Sequence, residues 1–226
     1  MRNVPGVRKT KSCYAMMWMP GNNAGPLVRK LAKEHPGKVG WLVGPSAMTK
    51  TRLRPEIPYA LDNDAFTAFR NVEKWSYGKW RDLMEWAKRS KINPLWLLVP
   101  DVVMNMEATI DNWNRYFPEV IEFGWPLAFA VQDGMTPKDV PSNADVIFVG
   151  GSTFWKWNTM PMWAKEFPRV HVGRVNEIRR LWQCEDAGVE SVDGQGWFRD
   201  GQHGRRIPQL LQWLKGERPE ETPTML

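Results

Sequence analysis

Three carboxyl groups able to move protons or bond to carbon, and one amide able to hydrogen-bond a ligand, stand at the ends of apolar runs, where a folded chain can aim them. They are Asp62 in ALDNDAF (60–66), Asp101 in LWLLVPD (95–101), Gln132 in LAFAVQDG (127–134) and Asp193 in VESVDGQG (189–196). A carboxyl group can donate or accept a proton, and as a carboxylate it can attack an electron-poor carbon. Gln132 carries donors and acceptors on one amide and suits the edge of a heterocycle. Asp101 follows Pro100 at the end of a fully apolar run, an unfavourable place for a carboxylate without a partner or ligand. Glycines beside Asp193 let a ligand approach the backbone closely. Three of the acids also have a plain structural reading: Asp62 and Asp64 are favoured N-caps for a helix starting at AFTAF, and Asp193-Gly194 is a common turn.

The same pattern recurs in VIFVGGS (146–152) and VHVGRVN (170–176), and SCYAMMWMP (12–20) and KVGWLVGP (38–45) are two further apolar runs. All eight read as buried parallel strands. Helices are expected over 24–35, 64–90, 106–122, 158–167, 175–187 and 204–216. The second of these carries Trp80, Leu83, Met84 and Ala87 on one face, and the fifth carries Val175, Ile178, Leu181 and Trp182. The links 46–56 and 134–143 are short and contain Pro55 and Pro137, so loops or single turns are expected there. Strand and helix alternate throughout, which predicts an α/β protein, specifically a compact (β/α)8 TIM-type barrel over 1–216. The Pro- and Glu-rich stretch 217–226 is expected to be a disordered tail. In such a barrel every strand end meets one rim, gathering Asp62, Asp101, Gln132, Asp193 and the Gly150-Gly151 amides around one pocket.

With 226 residues, 42% hydrophobic and 25% charged, the chain has the composition of an ordinary soluble domain, and its 14 tryptophans suit packing, with Trp155, Trp157 and Trp197 placed near the rim to wedge or stack. A net charge of +6 favours a polyanionic partner. Cys13 and Cys184 are far apart, and His35, His171 and His203 are scattered, so no zinc site or disulfide framework is expected. A lone His171 inside a strand reads as structural. No P-loop, G-x-G-x-x-G after a first strand, or G-x-S-x-G is present. The basic N-terminus precedes an apolar stretch too short for a signal peptide, and no run reaches membrane-spanning length, so a soluble cytoplasmic protein is expected.

Taken in order, these clusters resemble the tRNA-guanine transglycosylase superfamily, and most closely its phage-encoded DNA-guanine transglycosylase branch. DNDAF resembles the family's Asp-Ser-Gly-Gly-Phe motif, with Asp62 at the catalytic aspartate, Phe66 at the aromatic position, and Asn63, Asp64 and Ala65 departing from it. VPD places Asp101 at the base-recognition aspartate. AVQDG is similar to the V-Q-G-G motif through Gln132, with Asp133 replacing a glycine. Gly150 and Gly151 match the paired glycines. GVESVDG resembles the segment bearing the nucleophilic aspartate, with Asp193 there and Glu190 at the earlier acidic position. The C-x-C-x-x-C…His zinc module of the tRNA enzymes has no counterpart here, which favours DNA over tRNA.

The resemblance implies a pentosyltransferase without a cofactor that exchanges guanine in DNA for a free 7-deazaguanine derivative. Asp193 would be the nucleophile and Asp62 the general acid and base. Asp101, Gln132, Gly150, Gly151 and Phe66 would bind the base, which must leave the stack. Arg174, Arg199, Arg205 and Arg206 are candidate phosphate contacts, and tryptophan-rich surfaces suit a homodimer. Two alternatives stand beside this reading. One is a hydrolytic DNA glycosylase using the same site, and the other is a non-catalytic nucleic-acid-binding barrel.

Overall fold

The computed structural model describes residues 15–23, 25–50, 52–199 and 205–218. The expectations placed on Cys13, His203 and the tail from 219 lie outside them. Eight parallel strands follow in the order β1 (Met17–Met19), β2 (Trp41–Val43), β3 (Tyr59–Leu61), β4 (Leu97–Leu98), β5 (Leu127–Val131), β6 (Val146–Val149), β7 (Val170–Val172) and β8 (Ser191–Asp193). From β2 to β8 each pairs with its sequence neighbour, and β8 pairs with β1. Single bridges Trp18–Val39 and Gly21–Leu42 join β1 to β2 and close the ring. The expected (β/α)8 barrel is the fold.

Helices α1 (Pro26–Glu34), α2 (Ala65–Asn71), α3 (Tyr77–Ser90), α4 (Met106–Val120), α5 (Thr153–Glu166), α6 (Ile178–Ala187) and α7 (Arg206–Leu214) surround it. Short 3-10 turns, Pro45–Lys50 and Pro137–Asp139, replace α-helices after β2 and β5, where the proline-bearing links are shortest. The expected single helix 64–90 is two helices. Val72 closes α2 at φ 57°, and the Ser76 hydroxyl then accepts the Lys79 N–H to start α3. Helix α5 begins five residues before the expected 158, because the Ser152 hydroxyl accepts the Trp155 N–H and caps it there. No helix among the described residues is long and apolar enough to cross a membrane.

The strands are shorter than the apolar runs that announced them. In ALDNDAF the ladder stops at Leu61 and the next three residues turn, Asp64 at φ 58°. In LWLLVPD it covers only Leu97–Leu98, since Pro100 has no N–H to give. Alternation then sorts each strand into two layers. Trp18, Val43, Leu61, Phe129, Val149 and Val172 face the helices, while Met19, Leu42, Ala60, Trp96, Leu98, Ala128, Ala130 and Val146 fill the barrel interior. Trp96 is the largest of the interior set. The small residues Ala60, Ala128 and Ala130 share its cluster, and its ring meets Phe148 and His171 edge-on at 6.1 and 4.9 Å between centroids. Removing it empties the floor beneath the site. Trp96→Ala is expected to cost about 3–5 kcal/mol in denaturant unfolding. Trp96→Phe should cost much less, because the buried indole N–H has no hydrogen-bond partner to lose.

Candidate active site

Inward positions continue past the strand ends, and this carries the acids into one cavity. Asp62 follows Ala60 by two residues on β3, Gln132 follows Ala130 on β5, Gly150 follows Phe148 on β6, and Asp193 ends β8 two residues after Ser191. Asp62, Asp101, Gln132, Gly150, Gly151, Asp193 and Phe66 all line a cavity of about 920 Å³ at the C-terminal rim. That volume lies at the upper end of the range for small-molecule pockets.

The Asp62 N–H makes one more bond just past the end of β3, donating to Val43 O at 2.9 Å, and its Oδ1 accepts the Asn63 N–H at 2.8 Å. Burial, and then the charges of Asp64, Asp193 and Asp101, push its pKa well above the ordinary carboxyl range. The group gives up its proton less readily than an exposed aspartate. Asp64 occupies the N-cap position of α2 but does not cap it with its side chain. Its carboxylate accepts the Ser46 N–H at 2.8 Å and the Asn22 amide at 3.1 Å. The helix start is held by Asn63 instead, whose Oδ1 accepts the Ala65 N–H at 2.7 Å.

Asn63 has a second task, invisible in the motif. Buried beside the site, it donates to Asp101 Oδ1 at 2.8 Å and to Val99 O at 3.1 Å. Gln132 Nε2 donates to Asp101 Oδ2 at 2.7 Å, while its Oε1 accepts the N–H groups of Met104 at 2.9 Å and Gly151 at 3.1 Å. Asp101 is thus fixed from both sides. Burial raises its pKa, and the two amide bonds and Arg174 oppose that rise. The Gly150 N–H donates to Val131 O at 3.1 Å, so both amide hydrogens of the glycine pair are engaged inside the barrel. Gly151 sits at φ 68°, and a Cβ there would lie 2.8 Å from the Trp155 ring, so no other residue fits without strain. Asp133 is not among the residues lining the cavity. It accepts the Ser152 N–H at 2.6 Å and the Ser152 hydroxyl, anchoring the start of α5.

Asp193 is 14% exposed, and its Oδ1 accepts the Arg174 N–H at 3.0 Å and lies 3.2 Å from His171 Nε2. Arg174 is half-buried with φ 61°, a sparsely populated conformation for a residue with a side chain. Its guanidinium donates to Gly151 O and lies 4.4 Å from the centre of the Phe66 ring. Strands β7 and β3 stand opposite each other in the ring, so this contact spans the cavity mouth. Arg199 and Arg206 line the mouth as well, Arg206 donating to Gly196 O at 3.3 Å. Arg205 is exposed and outside the cavity lining.

Lys156 escaped the sequence reading. It lies on the cavity wall yet is only 2% exposed, with its ammonium bound to Gly173 O and 5.0 Å from the Trp157 ring centre. Burial, reinforced by the Arg174 charge, brings its pKa down to about 8. Its position four residues after Ser152, on the face turned to the barrel, was hidden by the late expected start of α5. Two other sequence readings move. Trp197 is fully buried, its indole N–H donating to Val175 O at 3.0 Å, so it cannot stack on a ligand; Trp155 and Trp157 are half-buried. Glu190 lies before β8, at the opposite end from the cavity, where it pairs with Arg169 through two contacts of 2.8 Å. Among the described residues, no three His, Cys, Asp or Glu side chains gather as a metal site would require. Compared with known proteins, the chain matches no family model and no curated protein sequence.

Proposed function

We propose that this barrel exchanges guanine in DNA for a free 7-deazaguanine derivative through a covalent bond between Asp193 and C1′ of the nucleotide. One observation carries the reading. A single cavity holds Asp62, whose pKa burial and neighbouring acids raise, together with Asp193, whose carboxylate is oriented by two donors. Two carboxyl groups in one cavity with different surroundings can divide the roles of acid and nucleophile between them.

In the first half-reaction Asp193 bonds to C1′ as the C1′–N9 bond breaks, and Asp62 gives its proton to the departing purine. In the second, the Asp62 carboxylate takes the N9 proton of the incoming base. That nitrogen then bonds to C1′, and the electron pair of the ester bond returns to Asp193. Asp101 and the remaining N–H of the Gln132 amide meet the base edge, and Phe66 offers its face. The ordered resemblance of the strand-end motifs to the transglycosylase superfamily supports the same assignment.

The test is release of labelled guanine from DNA with and without free 7-deazaguanine. Exchange requires the added base. Release without it would mean that water takes the second step, the hydrolytic alternative, and no release under either condition would sink both. Rim arginines make a second prediction. DNA affinity should fall with salt at about 0.9 log units per log unit of salt for each phosphate contacted. Arg199→Ala should flatten that slope by about one contact's worth while leaving the preference between free bases unchanged. A salt-independent affinity would argue for a small-molecule substrate.

A further inference from the structure

His171 is wholly buried in the barrel floor, yet every atom it could use is spoken for in a way that bears on Asp193. Its ring stacks on Phe148 at 4.8 Å and meets Trp96 edge-on at 4.9 Å, which fixes its plane. Nδ1 lies 2.8 Å from the Ser191 hydroxyl and Nε2 lies 3.2 Å from Asp193 Oδ1. A carboxylate only accepts, so Nε2 carries the proton, and in the neutral ring the Ser191 hydroxyl donates to Nδ1. Ser191, His171 and Asp193 form one chain of hydrogen bonds running up to the cavity. The geometry is also crowded into place: a Cβ on Gly173 would lie 2.9 Å from Phe148 and 3.4 Å from Asp193 Oδ1.

Both donors to Asp193, His171 Nε2–H and the Arg174 N–H, converge on Oδ1. Oδ2 accepts no hydrogen bond from the described residues, while the residue lines the cavity. We infer that His171 is the positioning residue of the nucleophile, holding Oδ1 so that Oδ2 is the atom that bonds to C1′. This rests on the base-exchange reading given above.

The consequence is asymmetric between the two steps. When Oδ2 bonds to C1′, the carboxylate becomes an ester with Oδ1 as its carbonyl oxygen. When the incoming N9 bonds to C1′, the C1′–Oδ2 bond breaks, its electron pair returns to the carboxylate, and the negative charge spreads onto Oδ1. Donors already aimed at Oδ1 stabilise that charge without rearranging. Loss of the His171 donor therefore slows departure of Asp193 more than its attack, and the covalent intermediate accumulates.

The experiment compares His171→Phe with His171→Gln, incubating each with end-labelled DNA and free 7-deazaguanine and quenching into a denaturing gel. Phe keeps the aromatic stack and lacks the donor; Gln restores an N–H. The Phe variant is expected to turn over about 10²-fold more slowly and to carry more protein–DNA adduct than the wild type, with Gln recovering most of the rate. A Phe variant as fast as the wild type, or Phe and Gln variants equally slow without extra adduct, overturns the assignment. Should the Phe variant fail to fold, Ser191→Ala releases the far ring nitrogen and is expected to lose about 10-fold, with the same shift toward adduct; wild-type behaviour there counts against the proposal. Nitrogen-15 spectra of the imidazole supply a reading that needs no turnover. A proton on Nε2 of His171 is expected, and a bare Nε2 would refute the bond. If the wild-type protein leaves DNA unchanged, the base-exchange reading falls, and the spectrum still decides the place of His171.

Discussion

Asp193→Asn should abolish base exchange, with turnover falling on the order of 10⁴–10⁶-fold, the scale on which enzymes respond to loss of a nucleophile. Asparagine keeps Oδ1 as an acceptor for the Arg174 N–H and His171, so the local packing of the wild type is retained. What changes is Oδ2, replaced by an amide nitrogen that cannot bond to C1′. DNA affinity should therefore stay close to that of the wild type while the covalent adduct disappears from denaturing gels. A variant that binds DNA normally and still exchanges bases would remove Asp193 from the mechanism.

Asp62→Asn should lose about 10²–10⁴-fold, the usual worth of a positioned proton donor, and unlike Asp193→Asn it should retain the ability to form adduct. It should also be more stable than the wild type. The sign follows from protons bound. Asp62 has its pKa raised in the folded protein, so above the ordinary carboxyl range the folded state holds a proton that the unfolded chain has released. Stability from this site is therefore full below the unfolded pKa and declines as pH rises toward the folded one. Asparagine does not titrate. Thermal melts should show Asp62→Asn above the wild type at pH 8, with the gap closing toward pH 4. An unchanged gap across that range would mean that Asp62 is not held protonated by its surroundings.

The barrel was legible because each strand is an apolar run closed by a polar cluster, and that pattern survives even where the paired segment is only Leu97–Leu98. Helix starts were less legible. The cap of α5 depends on Ser152 being held by Asp133, and the break between α2 and α3 depends on Val72 taking a left-handed conformation, neither of which periodicity registers. The gathering of Asp62, Asp101, Gln132 and Asp193 at one cavity was legible from their places at the strand ends. The residues that hold them were not. Asn63 looked like a departure from a motif and is the partner of Asp101, while His171 looked like core and contacts Asp193. Both act through distances between strands remote in sequence. Lys156 was hidden differently, since a lysine in a tryptophan-rich helix reads as a solvated charge until the helix is turned with that face inward.

The most direct measurement is mass spectrometry of the nucleosides digested from DNA after incubation with the protein and free 7-deazaguanine. A 7-deazaguanine deoxynucleoside is expected in the wild-type reaction, matched by an equal amount of released guanine, and neither product with Asp193→Asn. DNA whose nucleosides are unchanged after incubation with folded, DNA-binding wild-type protein would contradict the base-exchange reading.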